Sequence, residues 1–201
     1  MKIILFASLL LGLCAANEAL SPPTIAIPVR VHLVRSATRP ALHATLGKER
    51  ILGLFTEANR IWSCAGIRFE LQEVTEMAAI EVPAKRLFQR SRNWVKSALP
   101  ATELTPGMLD VCVVHEMGPN GFYYGEPVVV SETAKSSKVR GGSEDTVGRV
   151  LAHEFGHVLS LEHCKDRDGL MAPGLNGAEL KRDEINAARQ RASELLSHGI
   201  P

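Results

Sequence analysis

The stretch HEFGHVLSLEH, residues 153 to 163, decides the fold expected for this chain. It places His153 and His157 one helical turn apart, about 40° from each other around the helix axis. Glu154 lies about 60° round from His157, so its carboxylate stands beside the two imidazoles. Two histidines at this spacing can hold one metal ion, and the neighbouring carboxylate can act on a water bound to that ion.

A third histidine, His163, follows His153 by ten residues. It can reach the same ion only if the helix ends near Ser160 and the chain turns back. Three protein ligands leave a fourth position open for water, as in a catalytic zinc site and unlike a closed structural one. The spacing therefore predicts one Zn²⁺ on His153, His157 and His163, with Glu154 as general base. A helix with merely exposed histidines is the simpler alternative, but it leaves the third histidine unexplained.

The surrounding segments predict a mixed α/β fold, because strand-like alternation and helix-like spacing of apolar residues occur in turn. The predicted strands are 24–36, 67–74, 109–117 and two short strands within 121–132. The predicted helices are 46–66, 84–99, the active-site helix and 178–196. Strand 109–117 is almost wholly apolar, as expected inside a sheet. Gly125 and Pro127 interrupt 121–132, which favours a sheet edge for both short strands.

Three further details concern the predicted helices. Gly66 is expected to end helix 46–66, and Ser143 or Asp145 can cap the active-site helix. Helix 84–99 is rich in Arg and Lys. This charge content is better explained by a helix with one solvent-exposed face and one apolar, inward-facing side than by a basic binding surface.

The first sixteen residues, MKIILFASLLLGLCAA, have the pattern of a secretory signal peptide: a lysine, an apolar run and small residues. We therefore expect a secreted protein, extracellular or periplasmic, whose mature chain is 17–201. The apolar run is shorter than the roughly 20 residues of a membrane span, so no stable membrane anchor is expected. The first strand begins soon after the signal, so we also expect activity on secretion, without a latency pro-segment.

Composition limits the possible partners. The 201 residues are 45% hydrophobic and 22% charged, as in one globular domain. Lys2 is one of the 23 basic residues and the signal holds no acid, which leaves 22 basic against 22 acidic residues. This balance predicts no nucleic-acid partner. We expect a monomer that acts on protein or peptide.

Cysteines after the signal are Cys64, Cys112 and Cys164. In an oxidising compartment three thiols cannot all pair within the chain. We expect a disulfide between Cys64 and Cys112, with Cys164 free.

Residues 153–163 resemble the metzincin metalloproteases, whose motif is H-E-x-x-H-x-x-G-x-x-H followed by a Met-turn. Met171, in DGLMAPG, follows His163 by eight residues, a spacing similar to that of matrixins. The resemblance implies a zincin fold: a twisted, mostly parallel sheet with an antiparallel edge strand, an active-site helix, a Met-turn and a C-terminal helix. It also implies a catalytic domain of 17–201, divided into subdomains 17–163 and 164–201.

The same resemblance implies a zinc endopeptidase. The ion would acidify a bound water and polarise the scissile carbonyl, while Glu154 moves the water proton to the leaving amine. An extended substrate would pair with the edge strand near Phe122, Tyr123 and Tyr124, although these aromatics can equally be packing residues. Residues after the Met-turn, such as Ala172 and Pro173, would wall the specificity pocket.

The sequence departs from the family at Ser160, where metzincins usually have Gly. A left-handed turn there costs a residue with a Cβ about 1 kcal/mol. The pair His163 and Cys164 also resembles archaemetzincins, so the subfamily stays open.

Two other classes remain. In a gluzincin-type peptidase a later carboxylate, Glu179 or Glu184, would replace His163 as third ligand, and Met171 argues against this. In a zinc-stabilised binding or inhibitory protein the metal would be structural. Glu154 argues against that class, because a structural site needs no general base.

Overall fold

A computed structural model describes residues 23–81, 92–100, 104, 106–123, 125 and 127–200. In these ranges strands and helices alternate, as the apolar patterns predict. In chain order the elements are β1 (Ile25–Arg35), α1 (Lys48–Trp62), a 3-10 turn (Ser63–Ala65), β2 (Ile67–Ala78), α2 (Arg92–Ser97), β3 (Leu109–Val114), β4 (Gly121–Phe122), β5 (Val128–Ser131), α3 (Thr146–Val158) and α4 (Arg182–His198).

The five strands form one sheet in the order β2-β1-β3-β5-β4. Neighbouring strands run parallel except β4, which pairs antiparallel with β5 at the edge. The predicted mixed α/β fold, with a mostly parallel sheet and an antiparallel edge strand, is therefore confirmed. The edge position expected for both short strands is wrong for β5, which lies inside the sheet. Pro127 precedes Val128, the first residue of β5, so it does not interrupt the hydrogen bonds of the strand.

One face of the sheet carries α1 and α3 and the larger part of the core. The apolar residues whose helical spacing predicts α1 are all buried: Ile51, Leu54, Phe55, Ala58, Ile61 and Trp62. Gly66 ends the following 3-10 turn at φ 60°. Phe155 of α3 stacks on Phe69 of β2 with ring centroids 3.8 Å apart. The Trp62 indole donates to the Ala152 carbonyl at 3.1 Å, which ties the end of α1 to the middle of α3.

The opposite face holds a second apolar cluster and a buried polar group. Arg30 and His32 alternate with the apolar residues of β1, yet both are buried. Asp110 on β3 accepts two hydrogen bonds from Arg30, at 2.8 and 3.0 Å, and its Oδ1 lies 2.8 Å from His32 Nε2. Burial alone would raise the pKa of Asp110, but these partners lower it below its ordinary value. His32 is thus part of a buried polar group of the sheet.

The two remaining helices follow the predicted apolar faces. Trp94 and Leu99 are buried at α2, while the predicted part of this helix from 84 to 91 lies outside the described residues. Helix α4 begins at Arg182, four residues later than the pattern suggested, and turns Ala188, Ala192 and Leu195 inward. None of the described helices combines the length and apolar character of a membrane span. The signal-like residues 1–16 also lie outside the described ranges.

The expected disulfide is wrong, because the structure has Cys64, Cys112 and Cys164 as free thiols. Cys112 faces the second cluster, where its Sγ lies 4.0 Å from Met77 Sδ. Cys64 instead follows α1 on the helix-covered face and points its thiol to the Ile61 carbonyl at 3.4 Å. The sheet separates the two sulfur atoms.

Candidate metal centre and cleft

The active-site helix α3 begins at a well-formed cap. The Asp145 carboxylate accepts the Gly148 N–H at 3.0 Å, so Asp145 is the capping residue of the two that the sequence offered. Arg50 of α1 pairs with the same carboxylate at 2.6 Å. This end of α3 is therefore fixed to α1, which also orients the histidines further along the helix.

The three histidines of the motif come together. The Nε2 atom of His163 lies 3.2 Å from the Nε2 atoms of both His153 and His157. One ligand atom from each lies within 4.8 Å of the others, and no other group of three metal-ligating side chains is this close among the described residues. Two nitrogens bound about 2.05 Å from one tetrahedral ion are about 3.3 Å apart. The observed spacing fits that value.

Backbone carbonyls orient two of these rings. His153 Nδ1 lies 2.8 Å from the Leu170 oxygen, and His157 Nδ1 lies 2.8 Å from the Leu161 oxygen. Each Nδ1 must carry the proton in order to donate, which leaves the Nε2 lone pair free. These two bare Nε2 atoms face His163, which can donate to at most one of them. A cation at the centre would satisfy all three nitrogens.

The end of α3 explains how His163 reaches the site. Ser160 has φ 64°, the left-handed conformation expected where the family has Gly. The Ser160 N–H donates to the His157 carbonyl and the Leu161 N–H to the Gly156 carbonyl, at 3.0 and 2.9 Å. This pair of bonds is a Schellman motif, which ends the helix and reverses the chain. It places the Leu161 carbonyl under His157 and brings His163 back to the helix.

Glu154 lies beside the histidines at the wall of the cleft. Its side chain is packed so closely on Gly121 of β4 that a Cβ there would lie 2.6 Å from Glu154 Oε1. Glu154 Oε2 is buried and has no hydrogen-bond partner among the described residues. Burial raises the pKa of Glu154 to about 8, against the opposing charges of Arg92 and Arg149. A bound divalent cation would favour the ionised carboxylate.

Burial also favours the neutral form of two imidazoles, those of His153 and His157. It lowers the pKa of His153 to about 3, helped by the nearby Arg149, and lowers the pKa of His157 below its ordinary value. Neutral imidazole is the form that binds metal, so little proton release is needed at these two positions. The imidazoles of His153 and His157 can therefore bind a cation without first losing a proton.

Met171 lies fully buried beneath the histidines. A Cβ at Gly156 would meet its Sδ at 2.4 Å, so the thioether packs on the backbone of α3 between His153 and His157. This is where the sequence places a Met-turn residue.

The predicted substrate residues divide into two groups. Tyr123 and Pro173 line the cleft, together with Gly174. Phe122 borders it but is 5% exposed and packs in the second cluster behind the sheet, and Ala172 is 2% exposed. Tyr124 lies outside the described residues.

Sequence reasoning missed three residues of this cleft. Gly121 makes room for Glu154, while Arg92 of α2 and Arg149 of α3 line the wall. Arg149 stands four residues before His153 and so shares its helix face, a signal that was present in the sequence. The contacts of Gly121 and Arg92 come from distant segments, which no local pattern reveals.

The carboxylates of the gluzincin alternative lie elsewhere. Glu184 Oε2 accepts the Lys181 N–H at 2.7 Å as part of the capping box that starts α4. Glu179 is exposed and uses its backbone to pair with Gly169 and Leu170. Neither carboxylate belongs to the metal-ligating group.

A comparison with protein families finds a match to the matrixin model over residues 78–191, more than half of the chain. This chain belongs to the matrixin family of peptidases. The matched residues include all of α3, His163 and Met171. Family membership implies a catalytic zinc ion. The neutral nitrogen donors and the partnerless Glu154 oxygen fit such an ion.

Solved structures similar to this matrixin-family chain include metalloproteinase-II from Bacteroides fragilis, at 11% identity and a TM-score of 0.49. That alignment covers 84% of this chain and 54% of the other, so the chain spans about half the length of that protein. Archaemetzincin from Methanopyrus kandleri is similar at 15% identity and a TM-score of 0.46, over 89% and 98% of the two chains. A zinc-dependent peptidase from Methanocorpusculum labreanum has 13% identity, coverage of 83% and 99%, and a TM-score of 0.37. The sequence matches no curated protein.

Proposed function

We propose that this chain is a secreted zinc endopeptidase in which His153, His157 and His163 bind the metal and Glu154 is the general base. The observation that carries the proposal is the meeting of three Nε2 atoms beside a buried carboxylate oxygen of Glu154 that has no hydrogen-bond partner among the described residues. Bound zinc supplies a Lewis acid and an acidified water. Glu154 takes a proton from the attacking water and delivers it to the leaving amine, so no covalent enzyme intermediate is needed.

The position of β4 supports an extended substrate. This strand is the edge of the sheet, and its residues Gly121 and Phe122 border the cleft next to Glu154. A peptide can add to the edge strand of a sheet through backbone hydrogen bonds. These bonds do not involve the termini of the peptide. An internal bond of the peptide then reaches the metal, which favours endopeptidase over exopeptidase action. Tyr123 and Pro173 would contact the substrate side chains.

Secretion rests on the signal-like pattern of residues 1–16. Export would deliver the folded domain to protein or peptide substrates outside the cytoplasm. It is tested by the N-terminal mass of the protein recovered outside the cell, which should begin at Asn17.

The activity is tested by the isosteric change Glu154→Gln. This variant keeps the close fit against Gly121 but cannot take a proton, so cleavage should fall about 10²- to 10⁴-fold while zinc content stays unchanged. The assay uses casein and a fluorogenic peptide blocked at both ends, and Glu49→Gln on the exposed side of α1 is the control.

Three results decide between the classes. Wild type that cleaves the blocked peptide is an endopeptidase, whereas cleavage that requires a free terminus overturns that part of the proposal. Wild type that holds zinc but cleaves nothing is a binding or inhibitory protein. Full activity in Glu154→Gln excludes Glu154 as general base.

A further inference from the structure

Arg149 is a buried cation whose hydrogen-bond acceptors are mainly backbone carbonyls. It lies on α3 one turn before His153, and the residue is 2% exposed. Burial lowers the pKa of Arg149 to about 10, so the guanidinium remains charged at neutral pH. A buried charge is costly unless hydrogen bonds compensate it. Its acceptors are the backbone carbonyl oxygens of Gly177 at 2.9 Å, Ala172 at 2.8 Å, Leu170 at 2.5 Å and Gly169 at 3.4 Å.

All four acceptors belong to one segment, residues 169–177, which follows the third histidine. The segment contains Met171 and the cleft residues Pro173 and Gly174 but forms no helix or long strand. Its far side is held by Asn176, whose amide donates to the Ser143 carbonyl at 2.8 Å. The guanidinium of Arg149 therefore joins this irregular segment to α3, the helix that carries the metal site.

One of these carbonyls also orients a predicted ligand. The Leu170 oxygen accepts from Arg149 Nη2 and lies 2.8 Å from His153 Nδ1. A carbonyl has two lone pairs, so it can accept from both groups together. The position of that oxygen sets the plane of the His153 ring and selects the tautomer with a bare Nε2. Arg149 thus reaches the metal centre through this shared oxygen, and its Nη1 also lies 3.5 Å from His153 Nδ1.

We propose that Arg149 is a positioning residue of the metal centre: it fixes the Leu170 carbonyl that orients His153 and holds segment 169–177 beneath the ion. The inference rests on the proposed zinc site and adds to it a residue that is not itself a metal ligand. Loss of the guanidinium leaves His153 with a carbonyl that can shift. Metal affinity and ligand geometry should change even where the fold survives.

Arg189 provides a matched control. It lies on α4 and donates to the backbone carbonyls of Ala65, Gly66 and Pro23, at 2.7, 3.3 and 3.1 Å. It is therefore another arginine that links a helix to irregular backbone, but away from the histidines. Arg189→Met removes the same kind of interaction as Arg149→Met, so the pair separates positioning of the metal from general stability.

The experiment measures Zn²⁺ affinity of the metal-free proteins by competition with a chromogenic chelator, the visible spectrum of the Co²⁺ forms, and the apo unfolding temperature. Arg149→Met should raise the zinc dissociation constant about 10- to 100-fold and alter the Co²⁺ spectrum. Arg149→Lys keeps the charge but reaches fewer carbonyls, so its loss should be smaller. Arg189→Met should leave both metal readouts unchanged, whatever it does to the unfolding temperature.

Several outcomes would overturn the inference. One is an Arg149→Met protein with wild-type zinc affinity and Co²⁺ spectrum; another is an equal loss of affinity in Arg189→Met. If Arg149→Met does not fold, the comparison of Arg149→Lys with Arg189→Lys decides by the same criterion. Wild type that binds no zinc defeats the proposed function itself, whereas zinc-binding wild type with an unaffected Arg149 variant defeats only this inference.

Discussion

Ser160 shows how a single backbone angle serves the site. Its φ of 64° belongs to the turn that ends α3 and brings His163 back to the other histidines. The left-handed conformation costs an L-residue about 1–2 kcal/mol, and Gly avoids most of that cost. The chain keeps a serine at a position where glycine is the better conformational match.

Glycine relieves the conformational cost of the folded turn but makes the unfolded chain more flexible, which offsets about 0.5–1 kcal/mol of the gain. We therefore expect Ser160→Gly to stabilise the metal-free protein by a net amount of about 0.5–1 kcal/mol. Equilibrium unfolding in urea measures the difference. Ser193→Gly in the middle of α4 is the control and should destabilise by about 0.5 kcal/mol, because glycine disfavours a helix interior. A Ser160→Gly protein no more stable than wild type would show that the turn is not strained.

Residue-scale reasoning from sequence succeeded where a short spacing determines the geometry. The helical period alone places His153, His157 and Glu154 on neighbouring faces, and the structure brings the first two to His163 as expected. It failed for the cysteines, because spacing does not say which face of a sheet a side chain occupies. Arg149 was missed because its role depends on carbonyls that any residue could supply.

At the scale of elements, α3 depends on its first turn. Asp145 caps the helix and pairs with Arg50, so it satisfies an N–H, interacts with the helix dipole and binds α1. Burial alone would raise the pKa of Asp145, but the hydrogen bond from Arg50 and the N–H of Gly148 lower it below its ordinary value. A carboxyl group with a lowered pKa stabilises the fold above its unfolded pKa, and this contribution is lost as the pH falls through the folded pKa.

We expect Asp145→Ala to cost about 1 kcal/mol of unfolding free energy at pH 7. The gap to wild type should shrink as the pH falls below about 4, because the unfolded chain then binds a proton that the folded carboxylate resists. Asp145→Asn keeps a capping acceptor without the charge and should lose less than Asp145→Ala at pH 7. Unfolding curves between pH 7 and pH 3 give these differences. If the difference in unfolding free energy between wild type and Asp145→Ala stays constant with pH, the charge of Asp145 does not contribute to stability.

The helices and strands could be predicted where the periodic spacing of apolar residues defines them. The six buried residues of α1 and the uniformly buried β3 agree with their patterns. The interior position of β5 was not predictable, since three valines and a serine after a proline look the same at an edge and inside a sheet. Pairing with β3 and β4 decides between them, and that pairing is set by distant segments.

At the scale of the whole molecule, the sheet and the two packed helices hold three separate chain segments around one cleft. Helix α3 supplies His153, Glu154 and His157, the turn after it supplies His163, and β4 supplies the wall at Gly121. The mostly parallel topology was expected from the resemblance of residues 153–163 to the metzincins. The buried group of Arg30 and Asp110, 80 residues apart, was not, because complementary charges show no pattern along the sequence.

The central claim is that three histidines hold one zinc ion, and zinc stoichiometry tests it most directly. Zinc per chain is measured by plasma mass spectrometry after gel filtration of wild type, His163→Ala and the control His198→Ala at the exposed end of α4. The account predicts one zinc in wild type and in His198→Ala. In His163→Ala it predicts a strongly reduced content, because the remaining two imidazoles no longer close the site. Retention of one zinc per chain in His163→Ala would contradict the account and point to a carboxylate as third ligand.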